Sequence, residues 1–111
     1  MKITTRKMEK ATILDLKGPF KMGKAEQAFR DSVQKLLESG STHLAVNLAG
    51  VPEMDSSGLG ALVRAYSAAK QAGGKCTFFA APKRVRLTLR MVRLDNILEL
   101  VEDEAAALAG F

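Results

Sequence analysis

"HLAVNLAGVPEMDSSGLGALV", residues 43–63, reads as a strand, a loop and a helix in immediate succession. "HLAVNL" (43–48) is short, apolar and β-favouring. After the loop, Leu59, Leu62, Val63 and Tyr66 recur at i, i+3, i+4 and i+7, the spacing of one helix face, and Gly73 and Gly74 end the run. Between the two lies "MDSSGLG" (54–60): an acid, two hydroxyls, and two glycines around a leucine, all at a helix entrance. A strand that feeds a helix through such a loop is the repeating unit of α/β architecture.

The rest of the chain extends that unit in both directions. Upstream, "KITTRKM" (2–8) and "ATILDLKG" (11–18) are β-favouring runs separated by Glu9 and Lys10, the pattern of a hairpin. Gly18 and Pro19 end the second run. In "MGKAEQAFRDSVQKLLESG" (22–40), Ala25, Ala28, Phe29, Val33, Leu36 and Leu37 share one helical face, and Gly40 is a natural stop. Downstream, "KCTFFAA" (75–81) is a strand. Pro82 opens a third helix expected to reach about Leu94. "NILELV" (96–101) is a last short strand, and "EDEAAALAG" (102–110) a final helix with acids in its first turn. Strands alternate with helices after the hairpin, so part of the sheet is expected to be parallel. No repeat or linker interrupts residues 1–111, which read as one α/β domain.

With 111 residues and 47% apolar composition the chain can bury a core. Trp is absent and aromatics are 5%, so Leu, Val, Ile, Ala, Met and five Phe must build it. The net charge of +5 suits nucleic acid, anionic lipid, an acidic protein or none of these. Aromatic residues interleaved with cations are missing, which disfavours single-strand nucleic-acid binding. The single cysteine, Cys76, has no internal partner and fits a reducing compartment. "MKITTRKMEK" holds no signal-peptide core, and no apolar run is long enough to span a bilayer. The expectation is a cytoplasmic protein without membrane insertion.

The hydroxyl motif admits three chemistries. Asp55, Ser56 or Ser57 can cap the helix. The same unpaired N–H groups can cradle a phosphate. Or a serine can carry a phosphate that is added and removed. "SSGLG" lacks the glycine spacing and the Lys-Ser/Thr pair of a P-loop. No G-x-S-x-G elbow supports a serine hydrolase. The only histidine, His43, starts a strand and reads as a surface residue. One His and one Cys make a metal site unexpected, and no resident cofactor is expected.

"VNLAGVPEMDSSGLGALVRAYSAAKQAGGK" (46–75) resembles the central signature of the STAS domain, and more narrowly that of bacterial anti-sigma factor antagonists. The strand–helix order along most of the chain fits as well. The resemblance implies a mixed sheet of four to five strands with about four helices mainly on one side. It implies that the hydroxyl directly after the Asp, Ser56, accepts phosphate from a partner that is both serine kinase and anti-sigma factor. A serine phosphatase would reverse the step, and ATP would belong to the kinase. Asp55, Ser57, Gly58 and Leu59 are the expected partner-facing residues: Asp55 positions the loop, Ser57 supports the turn, and Gly58 permits close approach.

The function so implied is a non-enzymatic partner switch working as a monomer or weak dimer, without direct nucleic-acid contact. Unphosphorylated, it binds the kinase and frees a sigma factor for transcription, as in a stress response; phosphorylated, it is released. A phosphate adds about −1.5 to −2 charges beside Asp55. Burying a poorly paired ion against a partner costs on the order of several kcal/mol. Alternatives on the same fold are a subunit or regulator of a membrane transport system, such as a lipid transporter, and a scaffold of a stress-sensing assembly.

Two stretches depart from the family pattern. "GPFKMGK" (18–24) places Pro19 and Lys21 where acids are usual. After Pro82, the chain holds Lys83, Arg84, Arg86, Arg90 and Arg93 with no acid until Asp95. Arg86, Arg90 and Arg93 are expected on one helical stripe beside an apolar face of Val85, Leu89 and Val92. That stripe is either a solvated face or a docking site for an acidic partner or anionic ligand. Met54 and Met91 read as core fillers or partner contacts, and Cys76 as buried and inert.

Overall fold

A computed structural model describes residues 1–111. Five strands form one sheet in sequence order: β1 (Lys2–Lys7), β2 (Thr12–Lys17), β3 (His43–Gly50), β4 (Lys75–Phe79) and β5 (Glu99–Val101). The hairpin pair β1–β2 is antiparallel, and every later pairing is parallel. The parallel part follows from the crossovers: helix α1 (Lys24–Glu38) joins β2 to β3, α2 (Ser56–Gln71) joins β3 to β4, and α3 (Lys83–Met91) joins β4 to β5. Helix α4 (Glu104–Ala109) ends the chain.

Strand alternation assigns the two faces. Leu14, Leu16, Leu44, Val46, Leu48, Cys76 and Phe78 point to one side. There they meet Phe29 and Val33 of α1, Leu62 and Ala65 of α2, and Val85 and Leu89 of α3. Ile13, Ala45 and Phe79 point to the other side and are covered by Ala107 of α4. Three helices therefore cover one face and one covers the other. On the α4 face a polar network takes over where apolar cover stops. Arg6 of β1 donates to both oxygens of Asp15 at 2.6 and 2.9 Å and to Glu104 at 2.6 Å. Asn47 of β3 adds a 2.8 Å bond to Asp15.

The α3 region corrects the expected helix. It stops at Met91 rather than Leu94. Arg93 sits in the left-handed region at φ 60°, and Leu94–Asn96 form a single 3₁₀ turn. Arg93 therefore leaves the stripe of Arg86 and Arg90. Val92, past the last helical residue, is 51% exposed instead of joining the apolar face. The final strand is correspondingly short. Residues 96–98 are spent on the turn that returns the chain to the sheet.

Candidate functional site

The "MDSSGLG" loop lies at the carboxyl end of the central strand β3, between that strand and α2. Two chain segments meet there. The β2–α1 connection crosses the loop, and Phe20 forms an isolated parallel bridge with Met54. Phe20 N donates to the Glu53 carbonyl at 2.9 Å, and Asp55 N donates to the Phe20 carbonyl at 3.2 Å. The Phe20 side chain is fully buried and packs edge-on against Phe29, centroids 5.1 Å apart. A core aromatic thus anchors the loop opposite the motif.

Of the three candidate caps, the structure selects Asp55. Its backbone is extended at φ −98°, ψ −173°, the geometry of an N-cap residue. Oδ1 accepts from Gly58 N at 3.0 Å, and Oδ2 accepts from Met22 N at 3.0 Å. One carboxylate therefore caps α2 and ties the β2–α1 connection to it. The N–H groups of Met22 and Gly58 stabilise the ionised form and hold the Asp55 carboxyl below its usual range. With both oxygens engaged, Asp55 positions the loop.

Ser56 is the first residue of α2 and is exposed. Because Asp55 fills the cap, the Ser56 hydroxyl is not recruited for it. Ser57 is half-buried and does not cap. Gly58 is buried, and a Cβ there would stand 2.5 Å from the Phe20 carbonyl oxygen and 3.1 Å from Met54 Cβ. Within the chain, the close approach that this glycine permits is made by its own Phe20 segment. Leu59 is half-buried against the main core, and so is Met54. Met91, by contrast, is 84% exposed.

Charged residues that the sequence did not connect join the same end of the molecule. Lys21 reaches Glu53 at 2.6 Å, and Arg84 of α3 reaches its other oxygen at 3.5 Å. Lys21 is the chief reason that the Glu53 carboxyl lies below its ordinary range. Lys21 and Glu53 lie 32 residues apart in the chain, so only the Phe20–Met54 bridge reveals their pairing. Cys76 is buried in β4, and burial pushes its thiol up to about 12. His43 is exposed, with its ring tilted against that of Phe111, centroids 5.7 Å apart. No group of three or more metal-ligating side chains is present. No helix is long and apolar enough to cross a membrane.

A five-stranded mixed sheet with an Asp-capped helix following its central strand β3 defines the class. The STAS domain family model matches residues 2–107, and the chain belongs to that family. Solved structures extend the likeness at the level of fold. TM1081 of Thermotoga maritima superposes with a TM-score of 0.84 at 20% identity, covering 94% of this chain and 88% of that one. The Bacillus anti-sigma factor antagonist SpoIIAA matches in its unphosphorylated form at TM-score 0.73 and 14% identity, covering 95% and 92% of the two chains. Its phosphorylated form matches equally, at TM-score 0.73. The murine anion transporter Slc26a9 matches at TM-score 0.75 and 18% identity; 94% of this chain covers 18% of that protein.

Proposed function

We propose that the chain is an anti-sigma factor antagonist, a partner switch governed by phosphate on Ser56. The observation that carries this reading is the division of labour at the α2 start. Asp55 caps the helix and clamps the neighbouring loop, which leaves Ser56 exposed on a fixed backbone. Met54, Asp55, Ser57 and Leu59 hold that presentation. Gly58 serves it from within, by admitting the Phe20 carbonyl.

In the proposed cycle the unphosphorylated chain binds a serine-kinase anti-sigma factor and frees the sigma factor. The kinase holds ATP. The Ser56 hydroxyl oxygen bonds to the γ-phosphorus, the bond to the leaving ADP breaks, and the hydroxyl proton is released to water. The product places about −2 charges at a helix N-terminus, which favours anions in the free chain. Against a partner the same charge must be desolvated. Each 1.4 kcal/mol lost is about tenfold in affinity, so no change of fold is required. The similarity of this fold to SpoIIAA in both states accords with that economy. A serine phosphatase returns the chain to its binding form. The chain itself catalyses nothing and works in the cytoplasm.

The deciding experiment is the intact mass of the protein isolated from its native host, beside Ser56→Ala, with and without stress. A fraction heavier by one phosphate in the wild type alone supports the switch, and the kinase that co-purifies names the pathway. A protein that is never phosphorylated and co-purifies with a membrane complex instead favours a role within a transport system. The likeness to Slc26a9 is the reason to keep that second reading.

A further inference from the structure

Six large apolar side chains are exposed on this molecule, and four of them fall within eleven residues: Leu87, Met91, Val92 and Ile97. The same stretch and its approach carry Lys83, Arg84, Arg86, Arg90 and Arg93, all exposed. Arg84 alone among these cations is paired, with Glu53. Helix α3 arranges the two kinds of residue in a definite way. Val85 and Leu89 are buried in the core. At 100° per residue, Leu87 stands about 180° from the direction midway between those two, and Met91 lies one turn further on. Lys83, Arg86 and Arg90 flank that apolar crest on one side, and Arg84 flanks it on the other. No acid lies on α3, and Asp95 in the following turn is the first.

We propose that α3 and the turn after it form a peripheral docking surface for an anionic lipid bilayer. Leu87 is 45% and Met91 84% exposed on the side of α3 opposite its buried residues, so both side chains are available to a plane. The arginines beside it have stems long enough to follow while their guanidinium groups stay at phosphate level. Charge complementarity selects an anionic surface: the cations of Lys83, Arg86, Arg90 and Arg93 are not neutralised within the chain. A folded acidic protein would find no acidic side chain on α3 to fix its register, and the concavity beside the helix, lined by Arg86 and Glu102, lies off the Leu87–Met91 crest. This inference is independent of the Ser56 reading and uses none of its residues.

The test is flotation of the full chain with vesicles. One set is phosphatidylcholine alone; the other is equal parts phosphatidylcholine and phosphatidylglycerol, in low salt. Wild type is expected to float with the anionic vesicles only. Each basic residue near an anionic surface contributes about fivefold in partitioning. Arg86→Gln with Arg90→Gln should therefore weaken binding about 25-fold. Lys7→Gln with Lys10→Gln, which removes the same charge at the β1–β2 turn, should leave most of the binding. Leu87→Asn with Met91→Asn should abolish flotation while leaving the urea midpoint nearly unchanged, because both side chains are exposed. Absence of wild-type binding to anionic vesicles overturns the proposal, whether or not the patch then binds an acidic protein. Equal loss in the two double-charge variants, or full binding by the asparagine variant, also overturns it, because net charge alone then accounts for the attraction.

Discussion

Asp55 and Gly58 show how far single residues determine the candidate site. The sequence placed an acid, two hydroxyls and two glycines at a helix entrance but left the cap undecided, because all three polar side chains have capping chemistry. What decides it is Met22, 33 residues upstream, whose N–H occupies the second Asp55 oxygen. A contact between segments so far apart leaves no local pattern. Asp55→Ala should lower thermal stability on the order of a few degrees and loosen the β2–α1 connection. Differential scanning calorimetry checks the first effect, and amide hydrogen exchange at Met22 checks the second. Gly58→Ala should cost more, about 1–3 kcal/mol, since the new methyl meets a backbone carbonyl at 2.5 Å and backbone cannot rotate away. A urea midpoint equal to wild type would show that Phe20 yields and that the loop is not clamped.

The helices divide into those whose faces the sequence displayed and those it displayed in part. In α1 every residue assigned to the apolar face is buried or half-buried, from Ala25 to Leu37. In α2, periodicity pointed to Leu59, Leu62, Val63 and Tyr66, yet the deepest positions are Gly58, Ala61, Leu62, Ala65 and Ala69. Alanine and glycine contribute little apolar area, so they scarcely mark a face that they nevertheless form. In α3 the apolar spacing was legible to Leu89. The stop was not, because Arg93 adopts φ 60° without the glycine that usually signals it. The burial assigned to α3 is open to a paired test. Leu89→Ala should cost about 2–5 kcal/mol, as for a fully buried leucine. Leu87→Ala, at a side chain 45% exposed, should stay within about 0.5 kcal/mol. Comparable losses in urea titrations of the two variants would mean that the helix is rotated from the orientation described.

At the scale of the whole molecule, one polar network and one thiol report on the integrity of the sheet. Arg6, Asp15, Asn47 and Glu104 join β1, β2, β3 and α4 through four hydrogen bonds. The Arg6 guanidinium, helped by Asn47, holds the Asp15 carboxyl below its ordinary value of 3.8. A depressed folded-state value means that the unfolded chain binds the proton first. The contribution to stability is therefore complete above the ordinary value and is lost as pH falls below it toward the folded value. Wild type should lose stability below about pH 4, and Asp15→Asn should be less stable at neutral pH with a shallower acid limb. Denaturant midpoints between pH 2 and 7 check both. Cys76 provides the complementary measure. It sits in β4, paired with β3 on one side, and its neighbour Thr77 pairs with β5 on the other. With its thiol pushed up to about 12 and buried, it offers neither thiolate nor access in the folded state. Labelling by a thiol reagent then has to proceed through opening of the central sheet, so its rate counts the open fraction. For a domain of ordinary stability that fraction is on the order of a thousandth or less. Native labelling should be slower than in urea by at least about that factor. Asp15→Asn and Leu89→Ala should accelerate it in proportion to their losses of stability. A rate that ignores both variants would assign Cys76 to a local opening of β4, and the sheet would then not unfold as one unit.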